Sequence, residues 1–109
     1  MKTDEFYLEH ILEAIGRTQD HAKGVSYARF ETDRLIQGAL FYELQIIGEA
    51  ARHLSTETKR AMKEIDWISV VGMRNKLVHE YFQISLKDVW TTLQNDLPDL
   101  REIILQFLG

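Results

Sequence analysis

The chain has 109 residues, enough for one domain with one core and no more. A hydrophobic share of 45% against 28% charged residues excludes a disordered chain, and the lack of cysteine excludes a disulfide framework and thiolate metal sites. The net charge of −4 argues against nucleic-acid binding by the whole surface and leaves room only for a few aimed cations.

No apolar run follows Met1-Lys2, and no stretch approaches about 18 apolar residues. Neither a signal peptide nor a membrane span is expected, so a cytoplasmic protein is the default. Without repeats or linkers, residues 1–109 read as a single domain.

In chain order, Thr3-Asp4-Glu5 supplies a helix N-cap with acids in the first turn. Leu8, Ile11, Leu12 and Ile15 follow at helical spacing, and the pattern fades near Lys23-Gly24. A long second helix is predicted from about Tyr27 to Leu54. Its seam runs Ile36, Leu40, Glu43, Ile47, Ala50, Leu54, with Glu43 as the one charged member. Gly48-Glu49-Ala50-Ala51 is a small-residue patch where another backbone can come close. Ser55-Thr56-Glu57 starts a short helical turn ending near Ile65.

Asp66 caps a third helix whose apolar line runs Trp67, Val70, Val71, then Arg74, Leu77, Val78 and Tyr81, ending near Phe82. Ser85, with Asp88 three residues on, opens the next helix. Pro98 permits a break or a first-turn position before the closing stripe Leu100, Ile103, Ile104, Phe107. Period-two alternation is nowhere sustained. The expected fold is all-α, an up-and-down bundle of four main helices with a short extra helical turn and a Pro98 break near the C-terminus.

The segment Gly72-Met73-Arg74-Asn75-Lys76-Leu77-Val78-His79-Glu80-Tyr81-Phe82 puts polar chemistry where packing alone would place aliphatics. Arg74 matches phosphate oxygens bidentately and stays charged, His79 can give or take a proton near neutral pH, and Asn75 can orient either by hydrogen bonding. That set suits RNA cleavage without metal, in which the 2′-hydroxyl attacks the adjacent phosphate. On a regular helix Arg74 and His79 lie about 140° apart. Either the helix distorts near its end, or a second copy of the chain completes the site across a two-fold axis.

Arg-Asn-Lys-Leu-Val-His at 74–79 matches the R-x4-H signature of HEPN domains. With Ile46-Ile47-Gly48-Glu49-Ala50-Ala51, the Trp67 entry and Tyr81, the chain resembles the HepT-like toxins from its first helix to Leu97-Pro98. The resemblance implies a homodimer with paired motifs lining a cleft and no cofactor. It also implies a cognate nucleotidyltransferase antitoxin of the MNT type, which transfers AMP to the motif tyrosine. On that basis Arg74 and His79 are catalytic, Asn75 accessory and Tyr81 the modified residue, with RNA as substrate.

Other roles compete residue by residue. Arg74 can be an interface ion-pair residue with Glu43 or Glu49 as counter-charge, and those two acids are kept as accessory. His79 can bind the last helix carbonyls, and Tyr81 can be a core or interface aromatic. His10, His21 and His53 read as helix-face histidines without a role, and no metal site is expected. The alternative function is a non-catalytic helical dimer that binds nucleotide or docks the nucleotidyltransferase.

Overall fold

Every helix but the last begins where a side chain takes up the orphan N–H groups of its first turn. In the computed structural model, which describes residues 3–109, Thr3 accepts from Phe6 N–H to open α1 (Asp4–Ala22). Ser26 accepts from Arg29 to open α2 (Tyr27–Thr32), and Asp33 from Leu35 and Ile36 to open α3 (Arg34–Arg52). Ser55 caps α4 (Thr56–Ala61), Asp66 caps α5 (Trp67–His79), and Ser85 caps α6 (Leu86–Thr91). A π turn at Thr92–Asp96 leads into α7 (Leu97–Leu108). No strand occurs among the described residues, and the four long helices α1, α3, α5 and α7 make the expected all-α bundle.

Three local outcomes differ from the periodicity. The continuous helix expected from Tyr27 to Leu54 is cut at Asp33. The Asp33 carboxylate caps α3, while Gln37 Nε2 donates to the carbonyls of Phe30 and Glu31 and so closes α2. A local cap therefore divides the chain just before the apolar seam begins at Ile36. The third helix stops at His79 rather than near Phe82. Glu80 leaves helical geometry, and Tyr81–Gln83 forms a 3₁₀ turn that sets Tyr81 edge-on to Phe41 and leaves Phe82 outside. The interruption expected at Pro98 takes the form of the π turn. The backbone stays right-handed helical at Thr92, Asp96 and Leu97, and proline enters the first turn of α7, where its missing N–H is tolerated.

The helices run up and down. Asp4 at the start of α1 meets Ser55 beyond the end of α3, while Arg17 and His21 near the end of α1 reach Glu43 in its middle, so the two are antiparallel. Helix α5 returns along α3, with Arg74 beside Gly48 and Tyr81 beside Phe41. Gly24, at φ +74°, makes the left-handed turn that frees the chain after α1.

Leu8, Ile11 and Ile15 of α1, Leu40 and Ile47 of α3 and Ile104 of α7 form the centre of the core. Phe30 of α2 is fully buried and packs on Trp90 and Phe41, which explains why a six-residue helix persists at that end. Glu43, expected as a possible counter-charge for Arg74, lies on the other side of α3. It is buried with Arg17 Nε at 2.9 Å and His21 Nε2 at 3.6 Å, and it ties α1 to α3. A carboxylate on the core-facing seam survives because α1 brings the cation to it.

The other end is tied by Asp4, which accepts from the Ser55 N–H and from the Ser55 and Thr58 hydroxyls. The two hydroxyl bonds, with the Ser55 N–H, hold the Asp4 carboxyl below its ordinary range. A carboxyl depressed in the folded state contributes stability that is present above its unfolded pKa and is lost as pH falls through the folded value. Asp4→Asn is expected to lower stability at neutral pH by about 1 kcal/mol and to flatten the acid limb of the stability curve. Denaturant unfolding of both chains between neutral pH and the carboxylate range measures this. Parallel curves for parent and variant would show that the charge of Asp4 contributes nothing.

Candidate active site

Arg74 is carried on α5 at the point where α5 crosses α3 most closely. A Cβ added to Gly48 would stand 2.2 Å from Arg74 Cβ, 3.0 Å from its Cγ and 3.2 Å from the Val70 carbonyl oxygen. Glycine is therefore required, and it lets the arginine stem lie flat against α3 while its guanidinium continues to the surface. The small-residue patch at 48–51 is where a second backbone comes close, and that backbone is α5 of the same chain.

The guanidinium is held on two sides. Arg74 Nη2 lies 3.4 Å from Glu49 Oε1, and Nη1 donates to Asn75 Oδ1 at 3.0 Å. Of the two expected counter-charges, Glu49 takes the role and Glu43 does not. Glu49 also meets Arg52 Nη2 at 2.8 Å and His53 Nε2 at 3.5 Å. The Arg52 hydrogen bond, reinforced by the charges of Arg52, Arg74 and His53, keeps the Glu49 carboxyl below its usual range. Arg74 opens into a shallow cleft of about 210 Å³ lined by Tyr42, Gln45, Ile46, Glu49 and Val78.

One hydrogen bond, to Asn75, uses one of the guanidinium's five N–H donors, and the Glu49 contact is an ion pair. Helix α5 is unbroken through His79, so the imidazole leaves it about 140° from Arg74. Distortion begins only at Glu80, too late to swing His79 round. Within one chain the two side chains therefore face different directions. His79 is exposed and has no hydrogen bond or ion pair among the described residues. Tyr81 is 44% exposed, its ring held by Phe41 and Phe82 while its hydroxyl makes no hydrogen bond there.

A larger cavity of about 430 Å³ lies between α3, α5 and α7, with an aliphatic floor that includes Leu44, Ile47 and Leu100. Glu64, Asp66, Asp96 and Asp99 stand at its rim, and four carboxylates repel phosphate. The smaller cleft instead holds the Arg74 guanidinium, with Glu49 as the acid in its lining. Among the described residues no group of three or more His, Asp or Glu is arranged to hold a metal ion, and no helix is long and apolar enough to cross a membrane.

Sequence patterning passed over Arg52 and His53, which join Arg74 on Glu49, and Arg17, which holds Glu43. A signal existed for the first two. Glu49-Ala50-Ala51-Arg52-His53 puts a base and an imidazole three and four residues after an acid, on one helix face.

A helical bundle with an arginine presented at the α3–α5 crossing, and a histidine five residues on, defines a class of helical proteins built around an R-x4-H helix. The family model described as "Ribonuclease HepT-like" matches residues 11–107, and the chain belongs to that family. It is 35% identical over 108 residues to "Putative RNase TTE0752" of Caldanaerobacter subterraneus subsp. tengcongensis, covering 99% of this chain and 96% of that one. It is 36% identical over 95 residues to "Probable ribonuclease HepT" of Thermococcus cleftensis, covering 87% and 86% respectively. No solved structure matches.

The close approach at Gly48 has a directional consequence. Gly48→Ala forces α3 and α5 apart and is expected to destabilise by about 1–3 kcal/mol, although alanine is the better helix former. Gly38→Ala on the same helix meets nothing within 4 Å and is expected to stabilise by up to about 1 kcal/mol. Thermal unfolding of the two variants should therefore move in opposite directions. A stabilised Gly48→Ala would refute the tight crossing.

Proposed function

We propose that this chain is the toxin of a toxin–antitoxin pair, an endoribonuclease that acts as a homodimer and needs no metal. One observation carries the reading: Arg74 is fixed at a small cleft by Glu49 and Asn75 while His79, on the same helix, is exposed, unengaged and turned away. A second copy meeting the first along α5 supplies an imidazole opposite each guanidinium. Exposed apolar side chains beside the cleft, Tyr42 and Val78, support burial of this face between copies.

In this mechanism one His79 takes the proton of the ribose 2′-hydroxyl. The 2′-oxygen bonds to phosphorus, and the bond from phosphorus to the 5′-oxygen breaks. The partner's imidazole donates a proton to that leaving oxygen, so the products are a 2′,3′-cyclic phosphate and a free 5′-hydroxyl. Arg74 stabilises the charge on the phosphorane, and Asn75 with Glu49 keeps the guanidinium in place.

Arg74→Ala and His79→Ala are each expected to lower RNA cleavage by about a hundredfold or more while leaving the dimer intact. The assay uses purified protein, with oligomeric state followed by light scattering. Two dimeric variants as active as the parent would sink the catalytic assignment. A parent dimer that leaves RNA whole yet binds ATP through Arg74 would instead establish the non-catalytic reading.

The antitoxin in this proposal is a nucleotidyltransferase that modifies Tyr81. The phenol oxygen attacks the α-phosphorus of ATP, pyrophosphate leaves, and the phenolic proton passes to the transferase or to solvent. The exposed hydroxyl without a hydrogen bond supports Tyr81 as acceptor. Once attached, the nucleotide puts bulk and negative charge beside the phosphate site and repels RNA. Co-expression with the transferase is expected to add one or more AMP units, seen by intact mass and absent in Tyr81→Phe. Neutralised toxicity with Tyr81 unmodified would mean inhibition by occlusion.

A further inference from the structure

Beyond the Arg74–His79 pair, the junction of α1 and α3 carries a group of side chains that neither the motif nor the mechanism uses. His53, the residue that closes α3, stacks face to face on Tyr7 of α1, with ring centroids 5.0 Å apart and planes 12° from parallel. Tyr7 is backed edge-on by Phe6 at 5.2 Å. One imidazole face is covered by the phenol, and the side chain remains 46% exposed. Its Nε2 is steadied by Glu49 at 3.5 Å, so the ring has a set orientation.

The same carboxylate holds Arg52 and Arg74. Two guanidiniums on one carboxylate leave one unit of positive charge uncompensated whatever the state of His53, in a chain of net charge −4. Asp4, at the same end of α1, is occupied by Ser55 and Thr58 and has Lys59 beside it. A flat, half-exposed ring next to surplus positive charge is the combination that holds single-stranded nucleic acid, the ring stacking a base and the cations tracking the backbone.

We propose that His53, mounted on Tyr7, is a nucleobase-stacking platform for single-stranded RNA, with Arg52 gripping the phosphate that joins that nucleotide to the one at Arg74. His53 and Arg74 share the two oxygens of one carboxylate, so platform and phosphate site stand a single nucleotide's reach apart. Stacking tolerates any base, so the platform sets the register of the strand on the cleft rather than its sequence. This subsite deepens the ribonuclease reading and rests on it.

The test is binding of a short single-stranded 2′-O-methyl RNA, which lacks the attacking hydroxyl and cannot be cleaved, measured by fluorescence anisotropy over a range of salt. His53→Ala is expected to weaken binding about tenfold with an unchanged salt slope. Arg52→Gln is expected to lower the slope by about one. His53→Phe separates the roles, because it keeps a stacking ring and loses the Glu49 contact, and it is expected to bind like the parent. Replacing one nucleotide by an abasic linker is expected to erase the difference between parent and His53→Ala.

If the parent binds and His53→Ala binds equally well, or if His53→Phe is as weak as His53→Ala, the platform is refuted and the ribonuclease reading stands. If the parent neither binds the analogue nor cleaves unmodified RNA, the ribonuclease reading fails and takes the platform with it.

Discussion

The α3–α5 crossing at Gly48 is the constraint on which the site depends. Arginine is too long and too polar to be sunk at an ordinary helix contact, where its stem would hold the helices apart. With no side chain at Gly48, the Arg74 stem fills the space a Cβ would have taken, and only its head emerges. Reach, direction and partners of the guanidinium follow from that placement. Glu49 is the next residue on α3 and is therefore where the head arrives, and Asn75 is the next on α5.

Two carboxylates on α3 divide the work between folding and chemistry. Glu43 and Glu49 are six residues apart, about 120° around the helix the short way, so they face different neighbours. Glu43 is buried against α1 and meets Arg17 and His21, a closed arrangement that locks two helices. Glu49 is 39% exposed and shared among three nitrogen-bearing side chains, with more positive charge around it than it can neutralise. The first consumes its cations in structure. The second keeps them at the surface, where the proposed ribonuclease reading places a polyanion.

The helix carrying the motif is as informative for where it stops as for what it holds. It stays regular through His79 and breaks at Glu80, so the imidazole remains on its own face and Tyr81 drops into a 3₁₀ turn against Phe41. Arg74 and Tyr81 would share a line on a longer helix; the early stop takes Tyr81 off it. The Arg74 cation is held by ion pairing while His79 and the Tyr81 hydroxyl are left unengaged among the described residues. On the proposed ribonuclease reading that split suits a phosphate that needs a fixed partner and a histidine that needs freedom to exchange protons.

Much of this was legible in the residues themselves. Helix starts at Thr3, Ser55, Asp66 and Ser85 and the core face of α1 follow from caps and a 3.6-residue repeat, both set by neighbours along the chain. The R-x4-H segment was legible only through its resemblance to a known signature, and the closing stripe of α7 misplaced Phe107, which is exposed. The cut at Asp33 is equally local, since its carboxylate accepts from the N–H groups of Leu35 and Ile36 just before the apolar seam begins. Only the tertiary structure decided that Glu43 belongs to Arg17 and Glu49 to Arg74, that Gly48 faces Arg74, and that His53 lies on Tyr7. A repeat tells which face of a helix is buried. It carries no information on which helix lies against that face or at what axial register, and every one of those pairings is a matter of neighbour and register.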